Sequence, residues 1–231
     1  METTALRPPE HGKPMELQWV KTPLQTRSKK TLARILDAAE NLLVERGFDG
    51  VSVAEIAEIS GTSVGTIYAR FRDKDGLLNV LHQRFCEEAG ATMTQWLHPD
   101  KWAGADTVEV LRALVHMAIR TYRERAGLFR AFLLQAATDP GFTARAREME
   151  EALAASLQTL LAPRAGDLSH PNPPHAIVFG MSLVISALQS RFVLCKNAEL
   201  QGPPDEALEA ELLRMYTSYL GLGMTGERQT P

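Results

Sequence analysis

The chain has 231 residues, 45% of them hydrophobic and 23% charged, enough for one large domain or a small one plus a medium one around a sizeable core. Its net charge of −3 excludes a globally basic protein, yet charge is polarised along it: Lys21, Arg27, Lys29, Lys30 and Arg34 follow one another with no acidic residue between, while Glu148, Glu150, Glu151, Asp205, Glu206, Glu209 and Glu211 compensate downstream. Two distant cysteines, Cys86 and Cys195, exclude a disulfide framework and suit a reducing compartment.

Residues 1–23 contain Pro8, Pro9, Pro14 and Pro23, show little periodicity and no apolar signal-peptide core, and read as a flexible arm. From Ser28 onward Leu32, Ile35, Leu36, Ala39, Leu42 and Leu43 recur at helical spacing, and Gly47 is placed to end that helix. Ser52-Val53-Ala54-Glu55 is a capping box opening a short helix with Ile56 and Ala57 inward. Ser60-Gly61-Thr62 breaks the pattern, Ser63 caps a third helix with Ile67 and Phe71 inside, and Asp73 caps a fourth carrying Leu77, Leu78, Leu81 and Phe85. Further helices are predicted over 106–125, 128–137, 143–161, 175–195 and 205–222, with breaks at Gly104, Gly127, Asp139-Pro140-Gly141, the prolines around Asn172, and Gly202-Pro203-Pro204. No strand alternation occurs, so the fold class is all-α: an N-terminal three-helix helix-turn-helix domain (24–72) and a C-terminal helical bundle (73–225). Ser182, Ser186, Gln189, Ser190 and Arg191 interrupt the apolar run over 177–195, which argues against a membrane partner and for a cytoplasmic protein.

Two short helices joined by a tight glycine turn place the second of them in a DNA major groove. Thr62, Ser63 and Thr66 supply hydroxyls and Val64 a methyl surface suited to thymine. Gly65, costly in a helix by about 1 kcal/mol, suggests a close approach of backbone to duplex. Tyr68, Arg70 and Lys74 are expected at phosphates, with Ser52 holding another and Arg27, Lys29 and Lys30 adding backbone or minor-groove contacts. Double-stranded DNA is thus the first expected partner.

These residues resemble the TetR family of bacterial regulators over residues 26 to 80. The match runs through Gly47-Phe48, Ser52, Ile56-Ala57, Gly61-Thr62-Ser63-Val64-Gly65-Thr66-Ile67-Tyr68-Ala69-Arg70-Phe71, Lys74-Asp75 and Leu77. Ser60 stands where that family usually has alanine, Thr62 where it has valine, and Val64 where it commonly has a basic or polar residue. The resemblance implies a homodimer formed by the last two long helices, for which Leu183, Ser186, Val193, Leu212, Tyr216 and Tyr219 are candidates. It also implies a small-molecule effector between the C-terminal helices, where Met117, Phe129, Phe132, Met149, Phe179 and Met181 are candidate lining and Arg120, Gln135 and Gln189 polar anchors. For each of these the alternative is plain core. No Ser/His/Asp constellation, phosphate-cradling glycine loop or zinc spacing is present in the sequence, so no catalytic residue, metal or cofactor is expected. The expected function is a ligand-responsive repressor acting on a pseudo-palindromic operator. The alternatives are a regulator without a small-molecule ligand and a helical enzyme or interaction module.

Overall fold

The computed structural model describes residues 26–195 and 204–222, and among these the regular structure is helical. Helix α1 (Thr26–Arg46) buries Ile35, Leu36, Ala39, Leu42 and Leu43, and ends where Gly47 adopts φ 70° so that its amide can bond the Leu43 carbonyl at 2.9 Å. Helices α2 (Val53–Ile59) and α3 (Val64–Tyr68) start at Ser52 and Ser63, whose hydroxyls accept from the amides of Glu55 and Thr66. Helix α4 (Lys74–Trp96) starts at Asp73, which accepts from the Gly76 amide at 2.7 Å.

A 3-10 turn (Pro99–Trp102) leads to α5 (Thr107–Glu124), opened by a second capping box between Asp106 and Glu109. Then come α6 (Ala126–Ala136), α7 (Pro140–Leu161), α8 (Pro173–Leu188) and α9 (Asp205–Leu220). Pro140 and Pro173 begin helices where breaks were expected. At the first helical position a missing N–H costs nothing, and Asp139 and Asn172 supply the caps. Gly127 likewise breaks nothing: it lies buried inside α6, where a Cβ would stand 2.3 Å from the Leu43 carbonyl oxygen and 2.6 Å from that of Val44. It is glycine because α6 rests directly on the last turn of α1. Helix α8 runs on into a π-helical turn (Gln189–Leu194), whose Val193 and Phe192 carbonyls accept from the Arg130 guanidinium at 2.6 and 3.4 Å.

The stretch Pro173–Leu194 is long and apolar enough to cross a membrane, but its inner side is core: Ala176, Ile177, Met181, Val184 and Leu188 are buried. Gly180 lies under the ring of Tyr216, where a Cβ would come within 2.2 Å, and the Tyr216 hydroxyl donates to the Ile177 carbonyl. That bond closes α9 onto α8.

Two hydrophobic cores result. The first joins α1, α2 and α3 to Leu77, Leu78, Val80, Leu81 and Phe85 of α4, to Leu128, Ala131 and Phe132 of α6, and to Phe142 of α7. The second gathers α5, α8, α9, the last turns of α7, and Leu97 at the end of α4. The division drawn at 72 and 73 from the sequence runs through the first core, which α1 to α3 share with residues of α4, α6 and α7.

Within that first core lies a polar chain that sequence reading missed. His82, 4% exposed, stacks on Phe142 with ring centres 4.4 Å apart and planes 4° from parallel. Its Nδ1 accepts from Arg145 Nε at 3.2 Å, which leaves the ring proton on Nε2, 3.5 Å from Cys86 Sγ. The same guanidinium reaches Asn79 Oδ1 at 2.8 Å, and Asn79 donates to Asp139 at 3.0 Å. Burial drives the His82 pKa down to about 4, helped by the Arg145 charge, and burial raises that of Cys86. Nearby, Glu40 of α1 holds Arg84 of α4 at 2.7 Å and Arg125 at 3.2 Å.

Candidate nucleic-acid interface

The α2–α3 pair is fixed from within and open on one side. Ile56, Ala57, Ile67 and Phe71 are buried, and Gly61 makes the turn at φ 61°. The outer edge of α3 presents Val64, 39% exposed, and Tyr68, 52% exposed, two surfaces left open among the described residues. Ser63 and Thr66 share a hydrogen bond at 2.9 Å beside them. A Cβ at Gly65 would meet only Ser63 Oγ, at 3.8 Å, so packing inside the chain does not require glycine there. The two departures Ser60 and Thr62 are partners: their hydroxyls lie 2.9 Å apart, and Ser60 also donates to the Ala57 carbonyl. Ser60 is buried, so Thr62 is anchored by its neighbour and braces the turn.

Other expected contacts are differently employed. The Ser52 hydroxyl donates to Glu55 at 2.8 Å while Ser52 N–H donates to the same carboxylate, and Arg46 pairs with Glu55 at 2.8 Å. These hydrogen bonds hold the Glu55 pKa below its ordinary value. With that charge adjacent, Ser52 is a cap before it is a phosphate ligand. Lys74 Nζ donates to the Phe48 carbonyl and sits 4.0 Å over the Phe48 ring, tying α4 to the end of α1. Arg70 Nη2 donates to Ser28 at 3.0 Å, which carries it across to α1. Lys29 and Lys30 are exposed, but Lys29 lines the α1–α4 groove with Asp37, Glu87 and Glu88 and is not brought beside α3. The side chain of Arg27 lies outside the described residues.

The matching of residues 35–81 to the model of bacterial regulatory proteins of the tetR family, and of residues 106–220 to the tetracyclin repressor-like C-terminal domain, accounts for both cores. The chain belongs to the TetR family. It is therefore a helix-turn-helix transcriptional regulator. Among its TetR relatives is the HTH-type transcriptional repressor BdcR of Escherichia coli, 27% identical over 176 residues that cover 72% of this chain and 85% of that protein. An uncharacterised regulator of Bacillus subtilis, YvkB, is 37% identical over 67 residues, 29% of this chain and 35% of its own. The same fold occurs in a TetR-family regulator of Mesorhizobium loti (TM-score 0.67, 23% identity, 85% of this chain and 98% of that one) and in Salmonella enterica GusR (0.60, 21%, 86% and 98%).

The C-terminal candidates of a TetR regulator do not assemble as the sequence suggested. Phe129, Phe132 and Met149 belong to the first core and Met181 to the second, whereas Phe179 is 42% exposed on the outside of α8. Gln189 donates to the hydroxyl of the half-buried Tyr122 at 3.3 Å, Gln135 is half-buried near the end of α6, and Arg120 pairs on the surface with Glu124 at 2.8 Å. Met117 and Arg120 line an open groove of about 640 Å³ with Trp96, Trp102, Arg112 and His116. Of the interface candidates, Val193, Leu212 and Tyr216 are 1%, 7% and 0% exposed and belong to the monomer's own core. Their corrected role is internal, because the Tyr216–Gly180 contact turns that side of both helices inward. Leu183 and Ser186 remain exposed and Tyr219 half-buried, its ring 5.7 Å from that of Phe179.

Proposed function

We propose that this protein is a homodimeric repressor whose two α3 helices enter successive major grooves of a pseudo-palindromic operator, released when a small-molecule effector favours a dimer with misplaced reading helices. One observation carries the DNA half: the outer edge of α3 exposes Val64 and Tyr68 beside a Gly65 that the chain's own packing does not need. Backbone approach at Gly65, a thymine-sized contact at Val64 and a phosphate at the Tyr68 hydroxyl account for all three. The repressor sense follows the name of BdcR. Dimerisation through Phe179, Leu183, Ser186 and Tyr219 is supported by the apolar face these leave on α8 and α9.

Selection of bound sequences from random duplex DNA tests this reading. The expected product is a two-fold symmetric site, bound by the dimer and weakened without loss of sequence preference in Tyr68→Ala. A purified dimer with no preference over random competitor overturns it. The scatter of the predicted pocket residues over two cores favours a second reading, a regulator whose effector is not enclosed within the bundle. Native mass spectrometry of the protein as isolated separates the two by whether a small molecule accompanies it.

A further inference from the structure

Ser28, Thr31 and Arg34 are spaced three apart on α1 and face the α2–α3 turn across a cleft whose other wall holds Thr62, Thr66 and Arg70. Arg70 forms the floor. Its Nη2 donates to Ser28, its Nη1 reaches the Thr66 carbonyl at 3.5 Å, and its Nε is buried without a hydrogen-bond partner. Arg34, at the rim, lies with Nη1 3.7 Å from where a Cβ of Gly61 would be, and makes no hydrogen bond or ion pair among the described residues. The lining therefore offers two guanidiniums and several hydroxyls with no carboxylate. Several other guanidiniums have acids beside them, as Arg84 has Asp37 and Glu40 and Arg46 has Glu55.

We infer that this cleft is a phosphodiester-binding cradle, with Arg34 as the residue that clamps a DNA backbone phosphate beside each half-site. The inference rests on the reading of α3 as the DNA-entering helix and adds to it a contact from α1. A cleft rich in donors and free of carboxylates selects an anion, and its mouth opens next to the exposed edge of α3, where a duplex seated on Val64 and Tyr68 brings its backbone. Arg70 is already half-engaged with Ser28, so it serves as a fixed positive floor. Arg34 is the mobile clamp. Phosphate contacts carry no sequence information, so this site sets affinity and register and leaves base preference untouched.

The test compares wild type, Arg34→Gln and Arg34→Lys on the selected operator and on a random duplex of equal length, by fluorescence anisotropy across a salt titration. One phosphate contact per protomer contributes about 0.9 to the salt slope, hence roughly 1.8 per dimer. Arg34→Gln is expected to flatten the slope by that amount, so its deficit shrinks about ten-fold between roughly 50 and 200 mM salt. Both duplexes lose the same factor, and Arg34→Lys restores the slope without the full affinity. Thermal unfolding of both variants matches wild type, since Arg34 is exposed and pairs with no residue among those described. If wild type discriminates duplexes yet Arg34→Gln keeps its slope and affinity, the cradle is refuted while the reading of α3 stands. If wild type shows no duplex preference, that reading falls and the cradle with it. If inorganic phosphate alone, below millimolar concentration, saturates the Arg34 side-chain resonances of the free protein, the cleft is a small-anion site, and the DNA assignment is refuted.

Discussion

Replacing Gly127 by alanine inverts the usual effect of that substitution in a helix. Alanine normally gains about 1 kcal/mol over glycine by restricting the unfolded chain and favouring helix. Here the added methyl would lie 2.3 and 2.6 Å from two backbone oxygens of α1, atoms that cannot rotate aside as a side chain would. Overpacking against such neighbours costs about 1–3 kcal/mol, occasionally more, and the rigidity of the contact places this case at the upper end. The net expectation is a loss of about 2 kcal/mol, achieved by lifting α6 off the end of α1.

Gly90, within α4, provides the control: no atom lies within 4 Å of a Cβ there, so Gly90→Ala keeps the full gain of about 0.5–1 kcal/mol. Urea unfolding at one fixed protomer concentration measures both, because dimer stability depends on concentration. With a slope of about 2.5 kcal/mol/M, the two midpoints should lie roughly 1 M apart on opposite sides of wild type. Equal shifts, or a stabilised Gly127→Ala, would refute the direct seating of α6 on α1.

The His82 imidazole should stay neutral down to about pH 4, against 6.5 in the unfolded chain, so the unfolded state binds the extra proton first and stability falls as pH drops from about 6.5 toward 4. The loss is on the order of 3 kcal/mol, read from urea midpoints, and a His82 ring resonance that titrates above pH 6 would contradict it. Tyr216→Phe removes the hydroxyl bond to the Ile177 carbonyl and should cost about 1 kcal/mol, measured the same way; no change would mean that bond contributes nothing. Leu183→Glu places a charge on the exposed face of α8 and should yield monomers in sedimentation at micromolar concentration with helix content intact. A dimer that persists would place the interface elsewhere.

Most helix starts were legible in the sequence because caps are local chemistry. Ser52, Ser63 and Asp73 each bond the amide three residues onward, and spacing alone reveals them. The exposed outer edge of α3 was legible for the same reason. What spacing could not show was which side of an all-apolar helix turns inward: on α8 that choice is made by Gly180 meeting Tyr216, a contact across 36 positions. Gly127 and Pro140 were misread because the same residues that end helices also allow close approach or open a first turn. The His82–Arg145–Asn79–Asp139 chain joins residues some sixty positions apart, yet it left a trace. Asn79, His82 and Cys86 fall in helical register with Leu78 and Phe85, polar groups along a stripe destined for the core.

Helix α4 belongs to both cores, and this constrains how events in the second reach the DNA-facing edge. Its first half is embedded beside α1, and Met93, Trp96 and Leu97 at its far end pack into the second core. Near the middle it is gripped twice, by Arg145 on His82 and by Glu40 and Asp37 on Arg84. A rigid helix so held would pivot about that grip if its far end were displaced. Trp96 lies 14 residues beyond His82, about 21 Å, and Lys74 lies 8 residues before it, about 12 Å. A displacement of about 1 Å at Trp96 therefore moves Lys74 by roughly 0.6 Å the other way. Lys74 is bonded to the Phe48 carbonyl, just past the end of α1, so the displacement passes to the helix-turn-helix as a body. Since α1 to α3 share one core with α4, their internal geometry is preserved. In the proposed dimer, what would change is the placement of α3 relative to its counterpart in the second subunit. On the proposed reading, an effector acting at the Trp96 end would alter the match to half-site spacing and leave the base contacts of each half-site as they were.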